Sequence, residues 1–276
     1  MNKISIVIPS FNQGKFIERT LQSLIQQNYE NLEIIVIDGG SIDETINIVK
    51  KYESKISYWV SEKDSGQTAA INKGFKIATG DIIGYLNSDD IHLPGSLNKI
   101  NKLFQFYNEI DVIYGNGIWI DDNDKVIRKR LNIPFHHNTW LYGMADPFQP
   151  EVFYRKRVLD KAGLLDENFF MMMDREWWIR MSNSDCKFLY VNDEFAALRK
   201  YGETKSARYQ KINDEERWRL HDKYWKGFKF KHILLHKIHW KIYNLFYLTI
   251  RKFRVIYFHF IKKISLLKRV KNQFLF

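Results

Sequence analysis

The sequence predicts an α/β domain with a Rossmann-like sheet flanked by helices, and two observations support this prediction. Short apolar runs alternate with stretches of helical spacing in the first 100 residues, and a polar loop follows each run. Strands that alternate with helices favour a parallel, doubly wound sheet, whose buried strands are continuously apolar. The runs that predict strands are Ile4–Ile8, Leu32–Ile37, Ile56–Val60 and Ile82–Leu86.

Helices are predicted in the gaps between these strands. An apolar stripe of helical spacing follows the first strand, and Ser41 and Asp43 offer N-caps for a helix after the second. Another helix is expected from Pro94 to about Tyr107. Two shorter strands, Val112–Tyr114 and Gly117–Ile120, come next. We therefore expect a mixed sheet rather than a purely parallel one.

The composition is that of a chain with a substantial core. With 276 residues, of which 45% are hydrophobic, it can form one large domain or one domain with an appendage. Cys186 is the single cysteine, so no internal disulfide is expected. The N-terminal residues have the pattern of a strand rather than of a secretory signal, which predicts a cytoplasmic location.

The positive charge is concentrated towards the C-terminus. The net charge is +11, and Lys223–Phe276 contains 14 Lys or Arg and no Asp or Glu. Apolar residues recur there at helical spacing over 233–267, but the longest charge-free run, Ile242–Ile250, has only nine residues. Spanning a bilayer takes about 20. We therefore expect residues 207–276 to form a basic amphipathic helical extension on the inner, anionic membrane surface; packing on the catalytic domain or on another subunit is the alternative.

Polar residues follow all four predicted strands, at the sheet edge where ligands usually bind. Each has a structural alternative: Asp38 suits a helix-capping turn, and Gln67 and Asn72 suit a solvated helix start. Their convergence favours a nucleotide site. The candidate residues in these loops are Pro9, Ser10, Asn12, Asp38, Gly39, Gln67, Asn72, Asn87, Asp89 and Asp90.

Asp89 and Asp90 end the fourth apolar run and predict a metal site. Oxygen ligands favour Mg²⁺ or Mn²⁺, which use one or two carboxylates plus substrate phosphates, so a diphosphate substrate is implied. A polar turn before Pro94 is the alternative. The sequence lacks G-x-G-x-x-G and G-x-x-x-x-G-K-[ST], so dinucleotide and P-loop sites lose their specific support. Zinc is poorly supported, because the single cysteine has no partner and His136 and His137 are adjacent.

Residues 3–206 resemble the family 2 glycosyltransferases. This resemblance implies a GT-A fold, a nucleotide-sugar donor, a divalent metal and inversion at the anomeric carbon. It also implies a nucleotide-binding half at about 1–115 and an acceptor half at about 116–206. The stretches that carry it are Ser5–Gly14 (SIVIPSFNQG), Ile35–Asp43 (IVIDGGSID), Asp64–Gln67 (DSGQ), Ile71–Gly74 (INKG), Thr79–Asp81 (TGD) and Leu86–Asp90 (LNSDD).

The resemblance also implies roles for single residues. Asp38 would contact the nucleotide base, and Asp89 and Asp90 would serve the ribose and the metal. The catalytic base of the family opens a helix further along the chain, where Asp174 takes its position and Glu176 is the local rival. A carboxylate there could take the proton of an acceptor hydroxyl. The alternative for Asp174 is a helix cap without catalysis.

Three positions depart from the family pattern. Ile71 and Tyr201 stand where a basic residue and a His are frequent, and Asn87 stands where an acid is common. The metal would then rest on fewer carboxylates. Arg199 is the first candidate for a cation that neutralises the leaving diphosphate, and the others are Lys200 and Lys205.

Together these observations predict a metal-dependent, inverting hexosyltransferase. We expect it to move a sugar from a nucleotide-diphosphate donor, with UDP-sugars first, to a hydroxyl of a saccharide acceptor that is lipid-linked or part of surface polysaccharide assembly. Two alternatives stay open: a catalytically silent sugar-nucleotide binding module, and nucleic-acid binding through the tail, although we expect no nucleic-acid partner. A homo-oligomer also stays open.

Overall fold

The computed structural model describes residues 1–141 and 147–224. Within this part, nine strands form one mixed sheet. The strands are β1 Ile4–Ser10, β2 Leu32–Asp38, β3 Tyr58–Ser61, β4 Ile82–Tyr85, β5 Ile91–His92, β6 Val112–Ile120, β7 Val126–Arg130, β8 Val152–Arg155 and β9 Phe188–Arg199. Their order is β3-β2-β1-β4-β8-β6-β9-β5, and β7 pairs with β6.

The sheet has a parallel part and a mixed part. Strands β1 to β4 run parallel in the pairs β1·β2, β1·β4 and β2·β3, so their carboxyl ends lie at one edge. Strand β8 runs antiparallel to both β4 and β6, whereas β9 runs parallel to β6. Strand β8, which runs in the opposite direction, lies between the parallel part and the mixed part of the sheet, so both parts border that edge.

Helices cover both faces of the sheet. Their bounds are α1 Ile17–Ile25, α2 Thr45–Lys51, α3 Gln67–Ile77, α4 Ser96–Phe106, α5 His137–Leu141, α6 Val158–Ala162, α7 Met173–Asn183, α8 Lys205–Arg208 and α9 Gln210–Tyr224. Alternate strand residues supply two cores, because successive side chains of a strand point to opposite faces. Val7 and Ile35 pack with α3 and α7, whereas Ile6 and Val36 pack with α1 and α4.

The mixed α/β sheet confirms the predicted fold class, and it differs from the expected elements in detail. Strand β3 begins at Tyr58 rather than Ile56, because a short 3₁₀ helix at Glu53–Lys55 precedes it. The two short strands expected at 112–120 are one strand, β6. Its pairing with β9 shifts register around Asn116 and continues beyond, so the glycines flanking that residue do not interrupt the strand.

The first residues of the predicted tail pack on the domain. Leu220 of α9 is fully buried in the same core as α7. The predicted amphipathic stretch at 233–267 lies outside the described residues, and the domain boundary at 206 stays a prediction. Among residues 1–141 and 147–224, no helix has both the length and the apolar content that crossing a membrane requires.

Helix α3 approaches strand β1 very closely at Gly74, and this contact can be tested. A Cβ on Gly74 would lie 2.3 Å from Cγ1 of Val7, a side chain with little rotamer freedom. We expect Gly74→Ala to lower the free energy of unfolding by about 1–3 kcal/mol, despite the better helix propensity of alanine. Urea denaturation measures this change. The control is Gly202→Ala, whose Cβ would have no atom within 4 Å. Equal free energies of unfolding in the two variants would show that α3 approaches β1 less closely than the structure indicates.

Candidate active site

The carboxyl ends of β1, β2 and β4 open into a cavity of about 720 Å³. The helix α7 and the segment that follows β9 close its other sides. Nine of the predicted site residues lie in its wall: Pro9, Ser10, Gly39, Gln67, Asn87, Asp89, Asp90, Asp174 and Arg199. Residues of the nucleotide-binding half and of the acceptor half therefore meet in one space.

Three predicted residues, Asn12, Asp38 and Asn72, do not line the cavity. The carboxylate of Asp38 is buried and accepts hydrogen bonds from the backbone N–H of Gly40 at 3.0 Å and from the Ser61 hydroxyl at 2.7 Å. Its visible role is to hold the loop whose next residue, Gly39, lines the cavity. Asn12 is exposed, with a positive φ of 51°, and its side-chain oxygen accepts from the Ile42 N–H at 3.0 Å.

Asn72 connects α3 to the segment that leads into α7. Its amide nitrogen donates to the carbonyl of Leu165 and to the carboxylate of Glu167, both at 3.0 Å, and its amide oxygen accepts from the Leu165 N–H at 3.0 Å. The side chain is buried and uses both ends of its amide in this contact. In this structure Asn72 therefore positions a segment near the cavity rather than facing it.

Asp89 and Asp90 lie side by side at the base of the cavity. Asp90 is buried, and its two carboxylate oxygens accept from the Arg199 N–H at 2.8 Å and from the Asn87 amide at 3.1 Å. Asp89 is half-buried, and its Oδ2 accepts from the Tyr201 hydroxyl at 2.9 Å. Burial raises the pKa of both carboxyls, and the charge of Asp89 raises the pKa of Asp90 further.

The carboxylate oxygens of Asp89 and Asp90 are the type of ligand that binds Mg²⁺ or Mn²⁺. Two adjacent carboxylates line the cavity, and the cost of burying their charges is one that a divalent cation would relieve. Asp89 is the better placed ligand, since both carboxylate oxygens of Asp90 already accept hydrogen bonds, one from Asn87 and one from the Arg199 N–H of β9. In the described ranges no group of three or more His, Cys, Asp or Glu could hold a metal. The remaining ligands would be donor phosphates and water, as is usual for magnesium.

Arg199 lies in the cavity wall, but its guanidinium points away from the cavity. Nε donates to the Asp89 carbonyl and one terminal nitrogen to the Asp121 carbonyl, both at 2.8 Å. The other terminal nitrogen lies 2.5 Å from the Asp124 carboxylate. The side chain is fully buried in these contacts. In this structure Arg199 therefore supports the loop that carries the carboxylate pair. Its contact with a diphosphate stays a prediction.

Lys205 is a cation that faces the cavity. Its ammonium donates to the Gln67 side-chain oxygen at 2.7 Å and to the Phe170 carbonyl at 2.6 Å. Burial lowers the pKa of Lys205 to about 8. Lys200, the third candidate, is exposed and does not line the cavity. Of the three candidate cations for the diphosphate, Lys205 is thus the one whose ammonium group faces the cavity.

Asp174 lies in the first turn of α7 and lines the same cavity as the carboxylate pair. Tyr85, at the end of β4, donates its hydroxyl to Oδ1 of Asp174. Burial raises the pKa of Asp174 to about 7, while the charges of Lys205 and Arg175 act in the opposite direction. A carboxylate with a pKa near neutral is well suited to accept a proton at physiological pH.

The rival carboxylate, Glu176, is occupied elsewhere. It is fully buried and bonded to Arg180 at 2.7 Å, to Lys223 at 3.1 Å and to the Tyr224 hydroxyl. Burial raises the pKa of Glu176, but these three partners outweigh it and hold the pKa below its usual range. Glu176 does not line the cavity. The structure therefore favours Asp174 over Glu176 as the reactive carboxylate.

Helix α9 fixes the start of α7. The carboxylate of Glu216 accepts hydrogen bonds from the backbone N–H groups of Phe170, Met171 and Met172 at 2.7, 2.7 and 2.9 Å. These bonds hold the segment that leads into α7, one turn before Asp174. The partial positive charge at the N-terminus of α7 also favours an acidic side chain at the start of this helix.

Sequence reasoning missed two residues that join the site. Gln149 donates to the Tyr85 carbonyl at 2.5 Å and accepts from the Asn87 amide at 3.2 Å. Tyr85 reaches Asp174 with its hydroxyl. Tyr85 could have been found, because it is the one polar-tipped residue in an apolar strand. Gln149 lies in a 3₁₀ helix at Gln149–Glu151, and nothing in the local pattern marks it.

The comparison with protein families identifies the family of this chain. The sequence model described as Glycosyl transferase family 2 matches residues 5–180, more than half of the chain. Among curated relatives, an uncharacterised glycosyltransferase of Nostoc sp. is 29% identical over 175 residues, which cover 59% of this chain and 54% of the relative. One of Methanocaldococcus jannaschii is 27% identical over 198 residues, covering 69% and 68%. The chain thus spans about half the length of the Nostoc protein.

Two solved structures share the fold. Residues 1–349 of S. aureus TarS in complex with UDP match with a TM-score of 0.60 and 21% identity, over 79% of this chain and 64% of that one. The mannosyltransferase PcManGT from Pyrobaculum calidifontis, in complex with GDP-Man and Mn²⁺, matches with a TM-score of 0.62 and 15% identity, over 100% and 81%. With the family match and the mixed, helix-flanked sheet, these likenesses show that the chain belongs to glycosyltransferase family 2 and has the GT-A fold.

Proposed function

We propose that this chain is an inverting, metal-dependent glycosyltransferase that uses a UDP-sugar as donor and a saccharide hydroxyl as acceptor. The observation that carries the proposal is that Asp174 lines the same cavity as Asp89 and Asp90. A base for the acceptor and a site for the donor diphosphate are both needed for direct displacement at the anomeric carbon. The sugar is proposed to be a hexose.

In the proposed reaction the acceptor oxygen forms a bond to the anomeric carbon as the bond from that carbon to the donor diphosphate breaks. The hydroxyl proton passes to the carboxylate of Asp174, and the nucleoside diphosphate leaves with the bonding electron pair. A single displacement of this kind inverts the anomeric centre. The Tyr85 hydroxyl bond fixes the carboxylate of Asp174, so the proton acceptor is oriented before the substrate arrives.

The donor would occupy the part of the cavity between the loop of Pro9 and Ser10 and the carboxylate pair. A metal bound at Asp89 would neutralise charge on the departing diphosphate. Lys205 would supply a second positive charge at the same group, because its ammonium already lies in the wall beside Gln67. The neighbouring structures hold UDP-GlcNAc and GDP-Man, and UDP is our proposal for this chain.

We expect a metal-dependent thermal shift with one donor nucleotide. UDP-, GDP-, CMP- and dTDP-sugars are compared with and without Mn²⁺; a ligand present at about 100 times its Kd stabilises by about 2.7 kcal/mol, which raises Tm by several degrees. Asp89→Asn should lose the Mn²⁺-dependent part of the shift. Asp160→Asn removes an exposed carboxylate on α6 and should keep it. If no nucleotide shifts the wild-type Tm, the donor site is wrong.

We expect kcat/KM to rise with pH through about 7, because it reports the free enzyme and Asp174 must be deprotonated to act. Asp174→Asn should abolish turnover while leaving nucleotide affinity nearly unchanged. Lys205→Met removes a charge that lowers the pKa of Asp174, so the midpoint should move to higher pH. Lys211→Met, on an exposed position of α9, is the control. A profile that is the same in the wild type and in Lys205→Met would contradict this coupling.

We also propose that the basic tail binds an anionic membrane surface and brings the site to a lipid-linked acceptor. Its support is the sequence alone, where each Lys or Arg near an anionic leaflet contributes about 1 kcal/mol. Full-length protein should sediment with phosphatidylglycerol vesicles at low salt and be released at high salt. Equal sedimentation with phosphatidylcholine vesicles would contradict the electrostatic basis.

A further inference from the structure

A row of side chains leads from an exposed sheet edge to the cavity. Arg128 of β7 pairs in register with Trp119 of β6, and Trp119 pairs in register with Leu198 of β9. Register partners project from the same face of a sheet, and Leu198 lines the cavity. Arg128 and Trp119 therefore lie on the same face of the sheet as the cavity residue Leu198.

The row is cationic and aromatic. The Arg128 guanidinium carbon lies 3.4 Å from the centre of the Trp119 ring, and the Lys200 ammonium lies 4.4 Å from the same ring. Phe148, which precedes the cavity residue Gln149, packs on Trp119 with ring centres 5.6 Å apart. We call Arg128, Trp119 and Lys200 the cationic row. A stacked guanidinium keeps its N–H donors free in its own plane, so Arg128 can still bind an anion.

Three acidic side chains around β7, Glu194, Asp122 and Asp124, form ion pairs with other cations. Lys129 of the same strand pairs with Glu194 at 2.9 Å. In the turn between β6 and β7, Asp122 pairs with Lys15, and Asp124 pairs with Arg19 and Arg199. Arg128 and Lys200 are both exposed, and within residues 1–141 and 147–224 neither forms an ion pair. Two positive charges are thus fixed against one ring beside the active-site cavity.

We propose that the cationic row binds a phosphate group carried by the saccharide acceptor. The inference rests on the proposed function and specifies its acceptor. Charge complementarity favours phosphate, because a phosphate monoester carries about −1.5 to −2 at neutral pH and the row offers two cations. The fork of Arg128 matches phosphate oxygens, and Lys200, the residue after β9, supplies a point charge.

The test compares saccharide probes with the full-length protein. Binding of fluorescent maltotriose 6-phosphate, unmodified maltotriose and a maltotriose 6-carboxylate is measured by anisotropy at about 0.15 M salt, where exposed charges interact over about 8 Å. The nucleoside diphosphate that gives the thermal shift is present at saturation, so that the probe's phosphate does not occupy the donor site. We expect the phosphorylated probe to bind best, and Arg128→Gln/Lys200→Gln to weaken it about tenfold.

The matched control is Lys76→Gln/Lys102→Gln, which removes two exposed positive charges from α3 and α4. It should change binding less than about twofold. An equal loss in the control, or equal binding of the carboxylate probe, would overturn the proposal. So would a loss of phosphatidylglycerol vesicle binding in Arg128→Gln/Lys200→Gln, which would make the row a lipid contact. Failure of the proposed function is separate: it is the absence of any nucleotide shift in the wild type.

Discussion

Arg199 joins the two parts of the sheet around the cavity. Its backbone N–H binds Asp90, its Nε binds the Asp89 carbonyl, and its terminal nitrogens reach Asp121 and Asp124 beyond β6. A buried cation is costly unless its hydrogen bonds are satisfied, and breaking such a pair by removing one partner is strongly destabilising. The backbone and side chain of one residue, Arg199, therefore hold both the carboxylate pair and the turn after β6.

The chemistry at Asp174 depends on a balance of opposing effects. Burial favours the neutral acid, while Lys205 and Arg175 favour the carboxylate, and the pKa of about 7 lies between these limits. Glu176, two residues further along α7, has direct cationic partners instead of distant ones and is held ionised. Two carboxylates of one helix turn thus receive different roles from their surroundings, as is common where acid and base functions are divided.

The sequence alone was sufficient for the parallel part of the sheet and for nine residues of the cavity wall. The four apolar strands and the loops after them follow local patterns, and the ends of parallel strands meet at one edge by geometry. The features of the site that the sequence did not predict depend on long-range contacts. The direction of the Arg199 side chain, and the contact of Gln149 with Tyr85, join residues that are tens of positions apart and carry no local signal. Asp38 and Asn72 show the same limit. Their side chains are of a type that binds ligands, but in the structure they form hydrogen bonds that support neighbouring segments.

The end of β9 relates the donor site to the proposed acceptor contact. Lys200 follows β9 and extends its pairing with β6, because its N–H donates to the Ile120 carbonyl at 2.8 Å. Side chains alternate along a strand, so Leu198 and Lys200 project to one face, while Arg199 projects to the other. Lys200 reaches Trp119, and Arg199 holds Asp89. Because Arg199 ends β9 and Lys200 follows it directly, still hydrogen-bonded to Ile120 of β6, the backbone limits the distance between the carboxylate pair and the cationic row. An acceptor held at the row would then meet the donor with little orientational freedom left to lose, which is how binding at a distance lowers the barrier of the displacement.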